Sequence, residues 1–539
     1  VSTALMHMYG KCGCLSEAWV VFHNIDAKDV VAWNCILSVC RDGQMEEVMA
    51  LYEKMELEDV VPDMVTFIAL LSICACSFDV ISGEKFHGLI VNKGYETDVK
   101  VGNAIVNMYA KCGKLEAATS VFDNLINRNL ISWNVILKAY AQKSDGPKII
   151  LHLLDQMGKE GFHLNKVTFL SISSGCPLQY LFKVFETINE VDVAVWNALI
   201  SSCICNREDE KGLQLFHQMQ EEGFFPNEVT FISVVSVYSC EGSLLEGKHR
   251  HAQIVGSRLD FDICVSNALM SMYQKCSSLE DAERTYQKLF ERNLVSFTTM
   301  ISVFMQTRRC SDALELFYQM QWEGSLPDGF TYASALDACA NLFVFSKGVD
   351  IHSQILSRGF DIDLVLRTSL VNMYSECGNF NDAKYVFEHK LNEQNIVSFN
   401  TMISACAHHG QGNEALYYFE VMQKKGIVPD SCTFVSILSS CSHAGLLEQG
   451  ICQFSLMQHG YHYIPRAEHY DCLIDLVSRA GQLNEAEDLI FNVHKEPSIV
   501  SFRTFLGACR HQIDVERAEH IAKQAFDLEP ENDGVYLML

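Results

Sequence analysis

The sequence predicts an all-α protein, an α-solenoid (superhelix) built from stacked helix-turn-helix repeats. Two observations predict this class: a long repeat period, and apolar residues spaced for amphipathic helices inside each period. The period is visible in a Gly-x-x-Pro-Asp/Asn phrase, whose prolines Pro226, Pro327 and Pro429 lie 101 and 102 residues apart. Self-similarity at a fixed period is the signature of repeat architectures.

Each period divides into three units of about 35, 35 and 31 residues. One full set ends its first unit at Asp328 and continues with units at residues 329–363 and 364–395. Within a unit, apolar residues recur at steps of three and four, and Gly, Asn, Asp and Pro punctuate the joins. A helix pair of this size cannot bury its apolar face alone, so neighbouring pairs are expected to share one continuous core.

One stretch breaks the register. Cys112 and Cys276 lie 164 residues apart, as do Pro62 and Pro226, where two full periods would need about 202. The shortfall falls in residues 166–192, which begin like a second-type unit and end like a third-type unit. This 27-residue hybrid is either a true deletion or a gene-model error, and a solenoid accommodates it if one helix pair remains.

Composition excludes several classes of protein. The chain has 539 residues, enough for three or four ordinary domains, and 49% of them are hydrophobic with only 9 Pro, which excludes extensive disorder. No stretch approaches the roughly 20 apolar residues of a membrane span. The net charge of −26 argues against a partner held mainly by attraction to phosphates.

The 22 cysteines do not read as a disulfide framework. Their spacing instead predicts one small apolar residue per repeat at a helix contact, in a reduced compartment. Close pairs such as Cys12 and Cys14 are too near each other for a zinc knuckle, so no metal site and no cofactor is expected. The two recurring sets are Cys12, Cys112, Cys276 and Cys377, and Cys76, Cys240, Cys339 and Cys441.

Three phrases carry a family resemblance: residues 131–137, 101–113 and 435–447. They resemble the plant pentatricopeptide repeat (PPR) family, in its class with alternating P, L and S motifs, and the resemblance covers essentially the whole chain. It implies about fifteen repeats over residues 1–498, with residues 1–29 a partial one. Residues 499–532 resemble the family's E motif and residues 533–539 the start of a second, so we expect an incomplete gene product.

The resemblance implies sequence-specific binding of single-stranded organellar RNA, with one base read per repeat. In the family, the fifth residue and the last residue of a repeat face the base. Here the P and S repeats supply these pairs in chain order: Thr3/Asp29, Asn34/Asp63, Asn103/Asn129, Asn134/Asn165, Asn197/Asn227, Asn267/Asn293, Thr298/Asp328, Thr368/Asn395 and Asn400/Asp430.

By the family's pairing rule, Thr-Asp favours G, Thr-Asn favours A, Asn-Asp favours U over C, and Asn-Asn favours C over U. The expected RNA, 5′ to 3′, is G-U-n-C-C-n-C-n-C-G-n-A-U-n-n. The pair Asp471/Ser498 has no assignment. The L repeats are expected to read little, because their fifth residue is apolar: Ile68, Ile232, Ala333 and Val435.

The second residue of a repeat is expected to flank the base with a β-branched side chain. Ala194, Lys100 and Cys264 depart from this pattern. The fourth residue is expected to belong to the core, because Trp at this position is exchanged for Phe297 and Phe399. The base-flanking residues are Val31, Ile131, Val295, Val365 and Val397.

An alternative interpretation stays open for each recognition residue. A single Asn or Asp near the start of a helix is commonly a cap or a packed polar group. Nine pairs in one register, drawn only from Asn or Thr and Asp or Asn, favour recognition for the set.

Family members with an E motif act in cytidine-to-uridine editing of mitochondrial or chloroplast transcripts. Some carry a zinc deaminase domain with His-x-Glu and Pro-Cys-x-x-Cys. Here His494 and Glu496 match the first half by chance, and no Pro-Cys-x-x-Cys follows. We therefore expect no catalytic residue and no enzyme activity in this chain, with chemistry supplied in trans by a deaminase-bearing PPR protein or other editing factor, or by a missing C-terminus.

The expected location is the mitochondrion or the chloroplast, without a transit peptide in this chain. Three other functions are alternatives: an organellar RNA processing or stability factor, a protein-binding scaffold of the tetratricopeptide type, and a nonfunctional fragment. The E-like tail argues against the first and the uneven 101-residue period against the second. The irregular repeat keeps the third open.

Overall fold

The computed structural model describes residues 2–12, 14–25, 28–39, 45–143, 146–188, 190–239, 242–359, 363–389, 394–493 and 499–528. These residues form α-helices joined by short turns, and no strand occurs among them. The predicted all-α class is confirmed. The hypotheses on His494, Glu496, Ser498 and residues 533–539 concern positions outside the described residues.

Two compact units divide the chain, residues 1–239 and 240–539. The first contains α1 (Ser2–Lys11), α2 (Leu15–His23), α3 (Val30–Val39), α4 (Met45–Leu57), α5 (Met64–Ser77), α6 (Val80–Asn92), α7 (Val99–Lys111), α8 (Leu115–Asn124), α9 (Leu130–Ala141), α10 (Gly146–Lys159), α11 (Lys166–Ile172), α12 (Leu178–Thr187), α13 (Val193–Cys205), α14 (Asp209–Glu221) and α15 (Glu228–Val237).

The second unit contains α16 (Leu244–Gly256), α17 (Ile263–Lys275), α18 (Leu279–Gln287), α19 (Leu294–Gln306), α20 (Cys310–Trp322), α21 (Gly329–Leu342), α22 (Phe345–Ser357), α23 (Leu364–Glu376), α24 (Phe380–Glu388), α25 (Ile396–His408), α26 (Gly412–Lys424), α27 (Ser431–Ala444), α28 (Leu447–Ser455), α29 (Ala467–Arg479), α30 (Leu483–Asp488), α31 (Ile499–Gln512) and α32 (Val515–Leu528). A 3₁₀ turn precedes α7, and five-residue π-helical segments extend α28 and α30.

The helices of each unit form two layers. Within a unit, each odd-numbered helix packs against the next odd-numbered helix, so these helices make one continuous layer. The even-numbered helices pack on the odd-numbered ones as a second layer. This arrangement is the stacking of helix pairs that the repeat period predicts, with burial shared between neighbours.

In α26 the apolar residues spaced at steps of one, three and three face the core. Ala415, Phe419 and Met422 are buried, and Leu416 is half-buried. Tyr418 is also buried and donates a hydrogen bond to Glu388 Oε1 at 2.8 Å, so the buried face is wider than the stripe alone indicates.

The fourth residue of the P repeats lies in the core, as predicted. Trp133 is fully buried and meets Phe122 of the preceding helix edge-to-face, with ring centroids 4.9 Å apart. Edge-to-face packing is a favoured geometry for aromatic pairs. The other members of the set are equally buried: Trp33, Trp196, Phe297 and Phe399.

The cysteine prediction is correct for part of the set. Cys339 and Cys441 are fully buried near the ends of α21 and α27, and burial raises the pKa of the Cys339 thiol to about 12. In α5 the equivalent buried position belongs to Cys74, not to Cys76, which is half-buried. Cys12 is exposed, and its counterparts Cys112, Cys276 and Cys377 are half-buried at helix ends. Cys240 lies outside the described residues.

Residues 166–192 fold as one helix pair, α11 and α12, and α11 packs between α9 and α13. The shortened repeat brings backbone close to backbone: a Cβ on Gly175 would lie 2.1 Å from the carbonyl oxygen of Ala141. Only glycine fits that approach. On the even-numbered layer, a cleft of about 720 Å³ opens beside α12 and α14.

None of the described helices combines the length and apolar composition that crossing a membrane requires. The described residues likewise contain no cluster of His, Cys, Asp and Glu side chains suited to a metal ion.

Candidate nucleic-acid interface

In each of the nine assigned pairs, the last-position residue is the N-cap of the next odd-numbered helix. Oδ1 of Asp29 accepts a hydrogen bond from the backbone N–H of Ala32 at 2.8 Å, and Oδ1 of Asp63 accepts one from Thr66 at 2.9 Å. The capping interpretation is therefore correct for these side chains. The cap uses only Oδ1, one of the two polar atoms of each side chain. The same bond is made by Asn129, Asn165, Asn227, Asn293, Asp328, Asn395 and Asp430.

The fifth residue reaches across to this cap. Asn34 Nδ2 donates to Asp63 Oδ1 at 3.0 Å, and Asn34 Oδ1 accepts from the Thr66 hydroxyl at 2.6 Å. The two predicted partners thus meet in one hydrogen-bonded triad that joins consecutive odd-numbered helices. The same triad forms at Asn197, Asn227 and Thr230, with bonds of 2.9 and 2.6 Å, and at Asn400, Asp430 and Thr433, with bonds of 3.1 and 2.7 Å.

Where the helix after the cap carries Ser as its third residue, the triad opens. Asn103 Nδ2 stands 3.5 Å from Asn129 Oδ1, and Asn267 Nδ2 stands 3.4 Å from Asn293 Oδ1, both long for a hydrogen bond. The Oδ1 atoms of Asn103 and Asn267 are buried and accept no hydrogen bond within the described chain, and the same holds for Asn134 beside the hybrid repeat.

The fifth-position threonines turn their hydroxyls to their own helix. Thr298 and Thr368 each donate to the carbonyl four residues earlier at 2.7 Å. Thr298 Oγ1 also lies 3.1 Å from the hydroxyl of Thr331, which donates to Asp328, so that pair is linked through a third residue. Thr3 is half-buried on α1. Among the described residues, no direct side-chain hydrogen bond joins Thr3 to Asp29, Asn134 to Asn165, or Thr368 to Asn395.

Two caps are acids whose ionised form is favoured. Burial pushes the pKa of Asp63 upward, but hydrogen bonds from the Thr66 backbone and the Asn34 amide outweigh it and hold the pKa below its usual range. Asp430 has a lowered pKa for the same reasons, with Thr433 and Asn400 as donors. Both side chains are therefore carboxylates, which only accept hydrogen bonds.

The second residue of the repeat is exposed beside each reading position. The five predicted base-flanking side chains, Val31, Ile131, Val295, Val365 and Val397, are between 53% and 62% exposed. Solvated β-branched side chains at one register are unusual for a core-forming helix. The three departures from the pattern, Ala194, Lys100 and Cys264, are exposed as well.

Sequence reasoning missed further members of this row. They occupy the second position of the L repeats, of the hybrid repeat and of the E-like helix α31. In these units the fifth residue is apolar or has no assigned base. The common register is the signal that could have found them. They are Val65, Val167, Val229, Phe330 and Val500, all exposed.

Charge divides between the two layers. The odd-numbered helices carry ten Lys and Arg against six Asp and Glu, a net charge of +4 with His neutral. The even-numbered helices carry 14 against 31, a net charge of −17. The N-caps of the odd-numbered helices add eight Asp and Arg466, which brings that layer to −3, so it carries much less of the chain's acidity than the even-numbered layer. Its exposed cations include Lys100, Lys111, Lys138, Lys275 and Arg479.

Comparison with known proteins identifies this repeat. The PPR repeat family model matches residues 28–76, 191–239, 292–341 and 394–443, and the PPR repeat model matches residues 1–30 and 103–130. In the solved structures, the chain resembles the pentatricopeptide repeat protein PPR10 in complex with an 18-nt psaJ RNA element. The TM-score is 0.65 at 18% identity, over 90% of this chain and 83% of that one. The crystal structure of PPR10 from maize gives a TM-score of 0.55 at 17% identity, over 99% and 84%.

Curated relatives match along the whole chain. A chloroplastic pentatricopeptide repeat-containing protein of Arabidopsis thaliana is 30% identical over 100% of this chain and 71% of its own length. A mitochondrial one from the same plant is 29% identical over 100% and 75%. These two compartments are the predicted ones. At this identity and coverage, the chain belongs to the pentatricopeptide repeat family.

Proposed function

We propose that this protein binds single-stranded organellar RNA sequence-specifically, and that each P or S repeat reads one base through its fifth and last residues. The observation that carries the proposal is the hydrogen-bonded unit of fifth residue and cap, formed directly or through one threonine at Asn34, Asn197, Thr298 and Asn400. It fixes two base-reading candidates side by side on one layer.

The caps support the proposal because one polar atom of the side chain holds the helix and the other is left for a base. Oδ1 caps the helix, whether the residue is Asp or Asn, so the remaining atom is an acceptor in Asp and a donor in Asn. U and G carry an N–H on the ring nitrogen of their pairing edge, whereas C and A present a lone pair there. Asp thus suits U or G, and Asn suits C or A, in agreement with the family's pairing rule.

The fifth residue accounts for the other half of that rule. Thr is shorter than Asn, and the Thr298 and Thr368 hydroxyls bond back to their own helix, so these positions leave room for the larger purines. At Asn103, Asn134 and Asn267, the buried Oδ1 atoms lack a protein donor. A buried acceptor without a donor is costly. These three positions are the fifth residues of Asn-Asn pairs, which the family's pairing rule assigns to C.

A gel-shift comparison tests the proposal. The reference is the expected fifteen-nucleotide RNA, and the competitor carries changes at the tenth and twelfth positions, assigned to Thr298/Asp328 and Thr368/Asn395. We expect weaker binding of the changed RNA by roughly five- to 150-fold per position, the range for one base read through paired hydrogen bonds. Equal binding of both RNAs would refute the reading assignment.

The finer proposal is that the bound RNA marks a site of cytidine-to-uridine editing, with the deaminase supplied by another chain or by further sequence. The E-like helix pair α31 and α32 supports this role over transcript processing or stabilisation. In a plant lacking the protein, C-to-U conversion beside the matching RNA element should be lost while transcript ends stay intact. Altered ends with normal conversion would instead identify a processing or stability factor.

A further inference from the structure

A cavity of about 440 Å³ lies between α29 and α31, beyond the last pair that the pairing rule assigns. It is lined by Asp475 and Arg479 from α29 and by Arg503, Gly507 and His511 from α31. Arg503 is the fifth residue of its helix, which is the register of Asn400 in α25. The cavity therefore opens on the layer and at the register of the candidate reading residues.

Cations dominate this cavity, in a chain whose net charge is −26. Asp475 holds Arg479 through Nε, with contacts of 2.8 and 3.0 Å, and also accepts a hydrogen bond from Ser442. The Arg479 side chain is still 54% exposed, against 20% for Asp475. The carboxylate thus orients one guanidinium at the mouth of the cavity, and Arg503 contributes a second.

Gly507 makes room between them. As the ninth residue of α31, it replaces the serine or larger polar residue that stands there in neighbouring helices, such as Ser404, Ser439 and Asp475. A Cβ on Gly507 would meet no atom within 4 Å. Glycine inside a helix costs about 0.5–1 kcal/mol relative to Ala, and here packing does not require it. What it provides is open space beside two guanidinium groups.

We propose that this cavity binds a backbone phosphate of the RNA nucleotide immediately 3′ of the fifteen assigned to the repeats. Guanidinium groups are suited to phosphate because they donate in a planar fork. Continuity with the reading register favours RNA over an acidic protein segment, because an RNA that follows α25, α27 and α29 next meets α31. The inference rests on the proposed RNA-binding function and extends it to residues 499–528.

The test measures the affinity of the 539-residue chain for three RNAs by fluorescence anisotropy: the fifteen-nucleotide RNA, and the same RNA with three nucleotides added at its 3′ or its 5′ end. We expect the 3′ extension to tighten binding by roughly two- to fivefold, the gain from a partly exposed ion pair. The 5′ extension should not tighten binding to the same extent, and any gain in affinity that it gives should be unaffected by substitutions in the cavity.

Gly507→Glu places a carboxylate in the cavity, and Gly507→Gln adds the same bulk without charge. Both changes raise helix propensity, so the melting temperature should not fall. We expect Glu to abolish the gain from the 3′ extension and Gln to keep more of it, with fifteen-nucleotide binding unchanged in both variants.

The failure modes are distinct. If the fifteen-nucleotide RNA binds selectively but its 3′ extension adds nothing, or if Glu and Gln behave alike, the phosphate site is refuted and the proposed function stands. If no RNA binds selectively, both are refuted.

Discussion

At the scale of the residue, one side chain both caps a helix and bonds the fifth residue of the preceding repeat. Asp430 caps α27 through Oδ1 and accepts from Asn400 at the same atom. The sequence could predict the register of these residues, and it left capping and recognition as alternatives. It could not predict that one cap also bonds the fifth residue, because that depends on how closely Asn400 of α25 approaches Asp430 and the Thr433 hydroxyl of α27.

Capping and reading can be separated at Asp430. Asp430→Asn keeps a capping oxygen, as Asn227 and Asn395 do, so stability should be nearly unchanged. Asp430→Ala removes the cap and should cost about 1 kcal/mol, within the usual range of 0.5–2 kcal/mol. Chemical denaturation of the two variants measures this, and equal stabilities would show that the cap contributes nothing.

The fifth residue should set base size. Asn400→Thr recreates the pair of Thr298 with Asp328, whose link runs through Thr331. We expect the preference at the thirteenth RNA position to move from U towards G, by roughly 1–3 kcal/mol in relative affinity. Competition binding with RNAs that differ only at that base provides the measurement, and an unchanged preference for U would contradict the assignment.

At the scale of the element, the repeat pattern predicted helix pairs and the aromatic core position, and both are present. It misplaced one cysteine, because Cys74 and Cys76 differ by two residues and only the rotation of α5 decides which is buried. It also missed the exposed second-position row in the L repeats. Because the L repeats were expected to read little, their second-position side chains, such as Val65 and Phe330, were not predicted to be exposed in the same register.

Trp133 should be a principal packing residue of the joint between α8 and α9. Trp133→Ala removes a fully buried ring and should destabilise that joint by about 3–5 kcal/mol. Trp133→Phe should cost far less, because Phe297 and Phe399 fill the same position. Hydrogen exchange of the α9 amides gives the local readout, and similar protection in both variants would refute the packing account.

Three half-buried histidines predict an acid-sensitive joint between L and S repeats. Each bonds a tyrosine hydroxyl 22 residues later: His87 with Tyr109 at 3.0 Å, and equivalent pairs at His251 and His352. Burial lowers the pKa of each histidine. Nearby charges modify these pKa values. Lys288 lowers the pKa of His251 further, whereas acidic side chains raise the pKa of all three histidines.

The sign follows from linkage. Because the folded pKa lies below the unfolded value near 6.5, this stability is fully present above about pH 6.5 and is lost as the pH falls through the folded pKa. The His87→Phe/His251→Phe/His352→Phe variant should therefore lose less melting temperature than the parent between about pH 7.5 and about pH 5.5. An equal loss in both proteins would show that these histidines do not contribute.

At the scale of the whole molecule, the net charge of −26 first argued against nucleic acid. The two layers share that charge unequally, since the odd-numbered helices with their N-cap residues sum to −3 and the even-numbered helices to −17. Composition alone could not show this, because the segregation appears only once the helices are assigned to layers. In the proposed function, the acidic layer opposes sequence-blind binding, and specificity depends on contacts to the bases.

The salt dependence of RNA affinity should be weak, because few cations are exposed on the odd-numbered layer. Each phosphate neutralised on single-stranded RNA contributes about −0.7 to the slope of log K against log salt. With few exposed cations on the odd-numbered layer, we expect a slope of about −2 to −3, shallower than that of a basic protein of equal length. A salt titration of RNA affinity measures it, and a slope steeper than about −6 would contradict the account.

The most direct test of the central claim, that the fifth residue and the cap together read one base, is a four-way binding measurement. The parent protein and Asp430→Asn are each measured against RNAs that carry U or C at the thirteenth position. We predict that the order of affinities reverses, with U preferred by the parent and C by the variant. The same order in both proteins would contradict the claim.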